Sequence, residues 1–201
     1  MHGSAAALRC YYSLMREAGF VLAGGRSSRM GRNKALLRHL GVPLVVRAAA
    51  AVRSAAGSVT ILGDAAFYSR FGWPVLPDEQ SDLGPIGGLC TALEHTKAEW
   101  NLVVACDMPE LSPNLLRELI RRTQRCRSLC VAPLTETGFE PLCAVYRRTA
   151  LPEVRRAIAG GRLKMRDLLT LLDAAPVAGL DPAWFRNVNT PAEWASYTHS
   201  R

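Results

Sequence analysis

Short apolar runs alternate along the chain with longer segments in which apolar residues recur every three or four positions. The first pattern is typical of buried strands and the second of amphipathic helices. Six apolar runs predict strands: GFVLA (19–23), SVTIL (58–62), PVL (74–76), NLVVAC (101–106), SLCVAPL (128–134) and PLCAVYR (141–147). Strands that alternate with helices favour an α/β domain with a mainly parallel sheet.

Helix signals fill the gaps between these runs. Proline, which is favoured in the first turn of a helix, opens PLVVRAAAAVRSA (43–55) and PIGGLCTALEHT (85–96). In SPNLLRELIRRTQ (112–124), Ser112 is the predicted N-cap ahead of Pro113. LPEVRRAIAGG (151–161) and KMRDLLTLLDA (164–174) predict a mostly helical C-terminal third. The pattern as a whole predicts a Rossmann-like, three-layer α/β/α fold.

The length of 201 residues suits one domain, which we expect over residues 19–201. Residues 1–18 are expected to be an N-terminal extension outside the fold, and Met15 is a candidate translation start that an intact mass would test. No run reaches the roughly 18 apolar residues of a spanning helix. Arg9, Arg16 and Glu17 interrupt any signal-peptide core, and the six cysteines form no CxxC pair. We therefore expect a cytoplasmic protein with reduced thiols and no membrane partner.

A formal net charge of +8 favours anionic partners: nucleic acid, acidic lipid or phosphorylated small molecules. The basic residues form scattered doublets such as Arg121 with Arg122 and Arg155 with Arg156, without the interleaved aromatic residues of a base-stacking surface. A solvated helix face explains each doublet best. We therefore expect no nucleic-acid partner.

Three polar segments follow predicted strands: VLAGGRSSRMGRNK (21–34) runs on from the first, PDEQSDLGPIGG (77–88) from the third and ACDMP (105–109) from the fourth. Open parallel sheets bind ligands beyond the carboxyl ends of their strands. Gly24 and Gly25 would let backbone amides approach a polyphosphate, to which Arg29 and Lys34 add positive charge. A tight turn with surface arginines explains the glycines alone equally well.

Asp107 stands at the tip of the fourth predicted strand, where a carboxylate can bind a hard cation together with phosphate oxygens. Magnesium is the candidate cation. The alternative is an aspartate that caps the next turn.

LAGGRSSRMGRNK resembles the signature of the nucleotidyltransferase family that includes the molybdenum cofactor guanylyltransferases. GPIGG (84–88), CDMP (106–109), EPLCAVY (140–146) and NVNTP (187–191) match its later motifs in order. The resemblance implies an α/β/α nucleotidyltransferase that transfers GMP from GTP to the terminal phosphate of molybdenum-bound molybdopterin and releases pyrophosphate. It implies Mg²⁺ as cofactor and, as further partners, molybdopterin-handling proteins and molybdoenzyme chaperones.

The resemblance also implies roles for individual residues. Arg29, Lys34 and Asp107 would be catalytic, with Mg²⁺ on Asp107. The nucleotide-binding set would be Leu22, Ala23, Gly24, Gly25, Lys34, Gly63, Asp78, Gly84, Pro85, Gly87 and Asp107. Molybdopterin would be bound near Glu140, Asn187 and Asn189, and Arg162, Lys164 and Arg166 are candidates for its phosphate. An Asx-type turn ahead of a helix capped by Thr190 explains the two asparagines equally well.

Gly24 is the residue by which the sequence favours GTP, because related cytidylyltransferases typically carry alanine there and lack the GPxxG element. Two positions depart from the family pattern. Asn33 replaces a frequent aspartate and receives no catalytic role, and Gly63 replaces an asparagine that contacts the nucleotide, for which Asp64 is a candidate substitute. Three alternatives stay open: a nucleotidyltransferase that uses CTP, one that acts on another phosphorylated acceptor, and a non-catalytic nucleotide-binding or nucleic-acid-binding protein.

Overall fold

The structure, a computed structural model, describes residues 16–24, 33–78, 80–188 and 191–199. Within these residues the strands are β1 (Glu17–Leu22), β2 (Arg38–His39), β3 (Val42–Pro43), β4 (Thr60–Leu62), β5 (Val75–Leu76), β6 (Trp100–Ala105), β7 (Cys130–Thr135), β8 (Gly138–Phe139), β9 (Cys143–Arg147) and β10 (Ala175–Val177). The helices are α1 (Leu44–Ala56), α2 (Ala65–Tyr68), α3 (Pro85–His95), α4 (Pro113–Arg122), α5 (Leu151–Ala159), α6 (Met165–Leu171) and α7 (Pro191–His199). None of the described helices is both long enough and apolar enough to cross a membrane.

One mixed sheet forms the centre of the molecule, with the strand order β10-β7-β9-β6-β1-β4-β5 and with β8 paired to β7. Strand β1 is parallel to both β4 and β6, β4 is parallel to β5, and β10 is parallel to β7. Strand β9 is antiparallel to both of its neighbours, β6 and β7. The carboxyl ends of β1, β4 and β6 therefore meet at one edge, where the start of β9 also lies.

Helices cover both faces of this sheet, which confirms the predicted three layers. Val21 and Val104 point to the face covered by α1 and α4. Their chain neighbours Phe20 and Val103 point to the opposite face, which is covered by α3, α5 and α6. Because both faces are buried, the central strands are continuously apolar, as is typical of parallel sheets.

Several predicted helix starts are confirmed, and local contacts explain them. The Ser112 hydroxyl accepts a hydrogen bond from the Leu115 amide at 3.2 Å, as expected of an N-cap, and α3 begins at Pro85. The first helix begins at Leu44 rather than Pro43, because Pro43 pairs with Arg38 in a small antiparallel hairpin, β2–β3. That hairpin, together with β8, β10 and α2, was not predicted: each element has two to four residues, too few to show a period.

Candidate active site

The candidate site lies where the carboxyl ends of three parallel strands meet. The Ala23 amide donates to the Leu62 carbonyl at 2.9 Å, and the Cys106 amide donates to the Leu22 carbonyl at 3.2 Å. These bonds extend the β1–β4 and β1–β6 pairings one residue beyond the strands. The start of the glycine-arginine segment thus lies directly beside Asp107, as the sequence predicts.

Lys34 and Asp107 form an ion pair at this edge although 73 positions separate them in the chain. Lys34 Nζ lies 2.6 Å from Asp107 Oδ2, and the two side chains are only 18% and 15% exposed. Lys34 opens a short 3₁₀ helix, Lys34–Leu36, whose N-cap is Asn33. The structure therefore brings together two of the three residues predicted to be catalytic.

The second carboxylate oxygen of Asp107 fits a metal ligand. Among the described residues, buried Asp107 Oδ1 has no hydrogen-bond partner, and the same holds for Asn187 Oδ1. The Val188 amide donates to the Asp107 carbonyl at 3.1 Å, which holds Asn187 next to Asp107. Carboxylate and amide oxygens are ligands that Mg²⁺ accepts. No group of three or more His, Cys, Asp or Glu side chains gathers in the described part of the chain, so further ligands would come from phosphate or water.

A second region of the site, which we call the slot, is formed by the residues around Gly24, Gly84 and Gly87. A Cβ atom added at Gly24 would lie 3.1 Å from Asp78 Oδ2, and one at Gly87 would lie 2.2 Å from the Gln80 carbonyl oxygen. Gly84 has φ 70° at the N-cap of α3, a conformation that side chains rarely adopt, and Pro85 follows as the first helical residue. A side chain would therefore clash at Gly87, be tightly packed at Gly24 and be conformationally strained at Gly84.

Asp78 is the titratable group of this slot. Its Oδ1 accepts a hydrogen bond from the Gln80 amide at 3.3 Å. Burial raises the pKa of the Asp78 carboxyl above its ordinary value, and the Gln80 bond opposes that shift. A half-buried carboxylate beside Gly24 can accept hydrogen bonds from a ligand's N–H or O–H groups.

Gly63 lies against a residue that the sequence did not point to, Tyr68. A Cβ atom at Gly63 would lie 2.7 Å from Tyr68 Cε2, so the tyrosine ring takes the space of a side chain at 63. Asp64, the candidate substitute for the missing asparagine contact, caps α2 by accepting from the Ala66 amide at 2.8 Å. No local pattern identifies Tyr68, because its contacts are made across the fold.

Of the residues predicted to bind the acceptor, Glu140 lies between β8 and β9, and Arg166 of α6 contacts the β7–β8 hairpin. Glu140 precedes β9, and Thr135 Oγ1 donates to its Oε1 at 3.5 Å. Burial raises the pKa of the Glu140 carboxyl, with opposing contributions from Arg166 first and then from hydrogen bonds with Thr135 and Thr137. Arg166 Nη1 donates to the Thr137 carbonyl at 2.9 Å, whereas Arg162 and Lys164 are exposed.

The C-terminal helix α7 joins this edge through Tyr197, another residue that sequence reasoning missed. The Tyr197 hydroxyl donates to Glu110, in the loop that follows Asp107, and lies 3.3 Å from His39 Nε2 in β2. Tyr197 is buried. Helix α7 therefore connects the loop after Asp107 to the hairpin that follows Lys34.

Gly25, Arg29 and Asn189 lie outside the described residues, so their predicted roles stay predictions. The basic doublets, by contrast, are described. In the first doublet, Arg121 and Arg122 both contact Glu118. In the second, Arg155 contacts Glu94 on the surface. Solvated helix faces are thus the correct interpretation of these doublets.

An enzyme that joins two phosphates needs positive charge where an open sheet presents its strand ends, and the described residues hold a lysine paired with a carboxylate there. The fold and the site together define an α/β nucleotidyltransferase. The family model of the MobA-like NTP transferase domain matches residues 19–176. The chain belongs to this family and is a transferase.

Individual relatives agree with this assignment. The chain is 35% identical over 188 residues to the molybdenum cofactor guanylyltransferase of Xanthomonas euvesicatoria, covering 90% of this chain and 94% of that protein. It is 31% identical over 188 residues to the "Probable molybdenum cofactor guanylyltransferase" of Synechococcus elongatus, covering 90% and 97%. The crystal structure of molybdopterin-guanine dinucleotide biosynthesis protein A from Archaeoglobus fulgidus superposes with a TM-score of 0.76 at 24% identity, covering 91% and 97%. That likeness establishes the shared fold.

Proposed function

We propose that the protein transfers GMP from GTP to the terminal phosphate of molybdenum-bound molybdopterin, forming the guanine dinucleotide cofactor and pyrophosphate. One observation carries the proposal: Lys34 and Asp107 meet at the edge where the strand ends converge, and the second carboxylate oxygen of Asp107 is buried without a hydrogen-bond partner among the described residues. The names of the curated relatives support the choice of nucleotide and acceptor.

In this reaction a phosphate oxygen of molybdopterin forms a bond to the α-phosphorus of GTP. The bond from that phosphorus to the oxygen that bridges to the β-phosphate breaks, and its electron pair leaves with pyrophosphate. The nucleophile is already an anion and needs no strong general base. The reaction therefore needs charge stabilisation at this edge more than it needs proton transfer.

Repulsion between the two anions is the main obstacle. Two like charges about 4 Å apart repel by roughly 4 kcal/mol at an effective dielectric constant near 20. Lys34 carries three N–H donors, so it can keep its contact with Asp107 while it donates to phosphate oxygens. Arg29 is proposed to add a second cation from the same segment.

Asp107 Oδ1 and Asn187 Oδ1 would hold Mg²⁺, which when bound neutralises charge on the triphosphate. In that role Asn187 would bind the metal ion as well as the pterin. The ion pair with Lys34 holds the Asp107 carboxylate in its orientation, and the Val188–Asp107 backbone bond holds the chain next to Asn187 in place. Both contacts position the oxygens before any ligand arrives.

The slot around Gly24 is proposed to bind the nucleoside. Gly24, Gly84 and Gly87 bring backbone close to the ligand, and Asp78 supplies a hydrogen-bond acceptor. A two-ring base needs the space that a methyl group at position 24 would take, so we propose GTP rather than CTP as the substrate. Leu22, Ala23, Gly25, Gly63 and Pro85 complete the proposed nucleotide set.

Glu140 and Asn189 are proposed to bind molybdopterin, with Arg166 near its phosphate. Amide and carboxylate groups suit a pterin edge, which both donates and accepts hydrogen bonds. A cytoplasmic location and exchange with molybdopterin-handling proteins and molybdoenzyme chaperones belong to the same proposal.

Incubation of the protein with Mg²⁺, molybdenum-bound molybdopterin and either GTP or CTP tests the proposal. We expect the guanine dinucleotide and equimolar pyrophosphate with GTP, and far less product with CTP. Product with CTP alone would assign the protein to cytidylyl transfer. Pyrophosphate release that needs a different phosphorylated acceptor would replace molybdopterin as the substrate.

A further inference from the structure

Tyr68 is buried at the end of α2, with 1% of its surface exposed. Its ring packs where a side chain at Gly63 would otherwise lie. The ring therefore has a fixed position beside the carboxyl end of β4.

The hydroxyl of Tyr68 makes two hydrogen bonds that are far apart in the chain. It donates to the Ala23 carbonyl at 2.8 Å and accepts from Asn33 Nδ2 at 3.0 Å. Ala23 directly precedes Gly24, and Asn33 directly precedes Lys34. One hydroxyl thus joins the two ends of the segment 24–32, which was predicted to hold the phosphates.

Asn33 suits this arrangement because an amide both accepts and donates. Its Oδ1 accepts from the Ala35 amide at 3.1 Å and lies 3.2 Å from the Tyr68 hydroxyl oxygen, to which Nδ2 donates at 3.0 Å. An ionised aspartate at this position has no donor, so the tyrosine proton could not serve both Ala23 and residue 33.

We propose that Tyr68 is a positioning residue for the nucleotide: its hydroxyl fastens both ends of the segment 24–32 and thereby fixes Gly24 and Lys34 relative to each other. This role rests on the proposed nucleotide site. Burial raises the pKa of Tyr68 to about 12, so the hydroxyl keeps its proton at physiological pH and can donate and accept together.

Tyr68→Phe tests the role by removing only the hydroxyl while the ring remains against Gly63. Tyr146→Phe is a matched control, because the buried Tyr146 hydroxyl also donates to a backbone carbonyl, that of Pro141 at 2.7 Å, but outside the nucleotide slot. GTP affinity is measured by titration with Mg²⁺ present. Amide hydrogen exchange at Ala23 and Ala35 is measured without nucleotide, and thermal melting of each variant is recorded.

We expect Tyr68→Phe to weaken GTP binding about tenfold, the scale of one lost hydrogen bond in a site. Exchange at the Ala23 and Ala35 amides should become faster. Tyr146→Phe should lower the melting temperature to a similar extent while leaving GTP affinity and both amides unchanged.

Asn33→Ala provides a second approach that does not depend on the folding of the tyrosine variant. Its effect on GTP affinity should be non-additive with Tyr68→Phe, because both changes remove the same connection. Wild-type exchange at both amides in Tyr68→Phe, with unchanged GTP affinity, would overturn the role. If wild-type protein bound no GTP, the proposed function would fail, while the exchange measurement would still decide whether Tyr68 holds the segment.

Discussion

The two halves of the candidate site are built differently. On the proposed nucleotide side, close contacts surround the glycines: a Cβ at Gly87 would lie 2.2 Å from the Gln80 carbonyl oxygen, and one at Gly24 would lie 3.1 Å from the Asp78 carboxylate. On the acceptor side, the β7–β8 hairpin presents side chains, and Arg166 contacts it from an exposed position. We therefore expect the proposed nucleotide to be selected by space and the proposed acceptor by replaceable side chains.

This contrast implies unequal tolerance to change. A wall made of main chain cannot adjust to an added atom without moving a strand end or a helix start, because protein interiors are closely packed. An exposed side chain can be exchanged with little effect on its neighbours. Substitutions in the slot should therefore affect binding and stability together, whereas those on the hairpin should affect only the acceptor.

The largest effect is expected at Asp107, where the two halves meet. Asp107→Ala removes the partner of Lys34 and a proposed metal oxygen, so dinucleotide formation should fall at least about a thousandfold, as for other lost charge-stabilising groups. Product formation and thermal melting check this prediction. Turnover near the wild-type rate in a folded variant would contradict the assignment of Asp107. Asp107→Asn keeps the shape of the side chain but removes its charge, and so shows which of the two matters.

Gly87→Ala should be the most damaging change within the slot. The new methyl group overlaps the Gln80 carbonyl, and overpacking of this kind costs about 1–3 kcal/mol of stability. Urea unfolding measures that loss, and GTP affinity should fall with it. Gly160→Ala is the control, since a Cβ there meets only ordinary contacts at 3.4 Å or more and should leave stability nearly unchanged.

Gly24→Ala should act on nucleotide choice more than on stability. The added Cβ requires Asp78 to shift by a few tenths of an ångström. GTP affinity should fall about tenfold while CTP affinity stays level, a difference of about 1.4 kcal/mol. Equal losses for both nucleotides, measured by calorimetry, would show that the methyl group disturbs the segment rather than the base.

Glu140→Gln should have a smaller effect, confined to the acceptor. The amide keeps the shape of the side chain but loses the charge, so the KM for molybdopterin should rise severalfold while the GTP affinity stays at the wild-type value. Steady-state kinetics with each substrate varied in turn separates the two. A change in GTP affinity would mean that the acceptor hairpin and the nucleotide slot are coupled.

Asp78→Asn should give the smallest effect, and its size depends on pH. The folded-state pKa of Asp78 is raised, so folding favours the protonated form, and the stability from this group is lost as pH rises through the raised pKa. The ligand-free variant should therefore melt slightly higher than wild type at neutral pH. The difference should vanish below the ordinary pKa of 3.8, where both side chains are neutral. A lower melting temperature at neutral pH would contradict it.

The sequence was sufficient to predict that Lys34 and Asp107 lie at one edge of the sheet and that a helix begins at Pro85, because these signals are local. Lys34 and Asp107 follow predicted parallel strands, whose ends share one edge, and Pro85 marks the start of a helix. The direction of β9 could not be predicted, because an apolar run does not indicate which way its strand points in the sheet. Which strands it pairs with depends on the fold as a whole. The short hairpins contain too few residues for any periodicity.

The contacts of Tyr68, Asn187 and Tyr197 were likewise beyond sequence reasoning. Tyr68 reaches Ala23 across 45 positions, and Tyr197 reaches His39 across 158. Asn187 was predicted to bind the pterin, which stays a prediction, whereas the backbone bond from its neighbour Val188 to Asp107 was not foreseen. Such contacts depend on the paths by which loops return to the sheet. Local secondary-structure propensity does not determine those paths.

The reversed strand β9 has a consequence for how such enzymes diversify. Because β9 runs against β6, the hairpin before it reaches the active edge with Glu140, whereas its last residue, Arg147, lies at the far end over Trp100. The hairpin is therefore inserted between strands without interrupting the β4–β1–β6 unit that presents the nucleotide slot. If the hairpin binds the acceptor as proposed, changes in its length or sequence should alter that substrate and leave the register of those strands intact, so donor and acceptor specificity would be inherited separately.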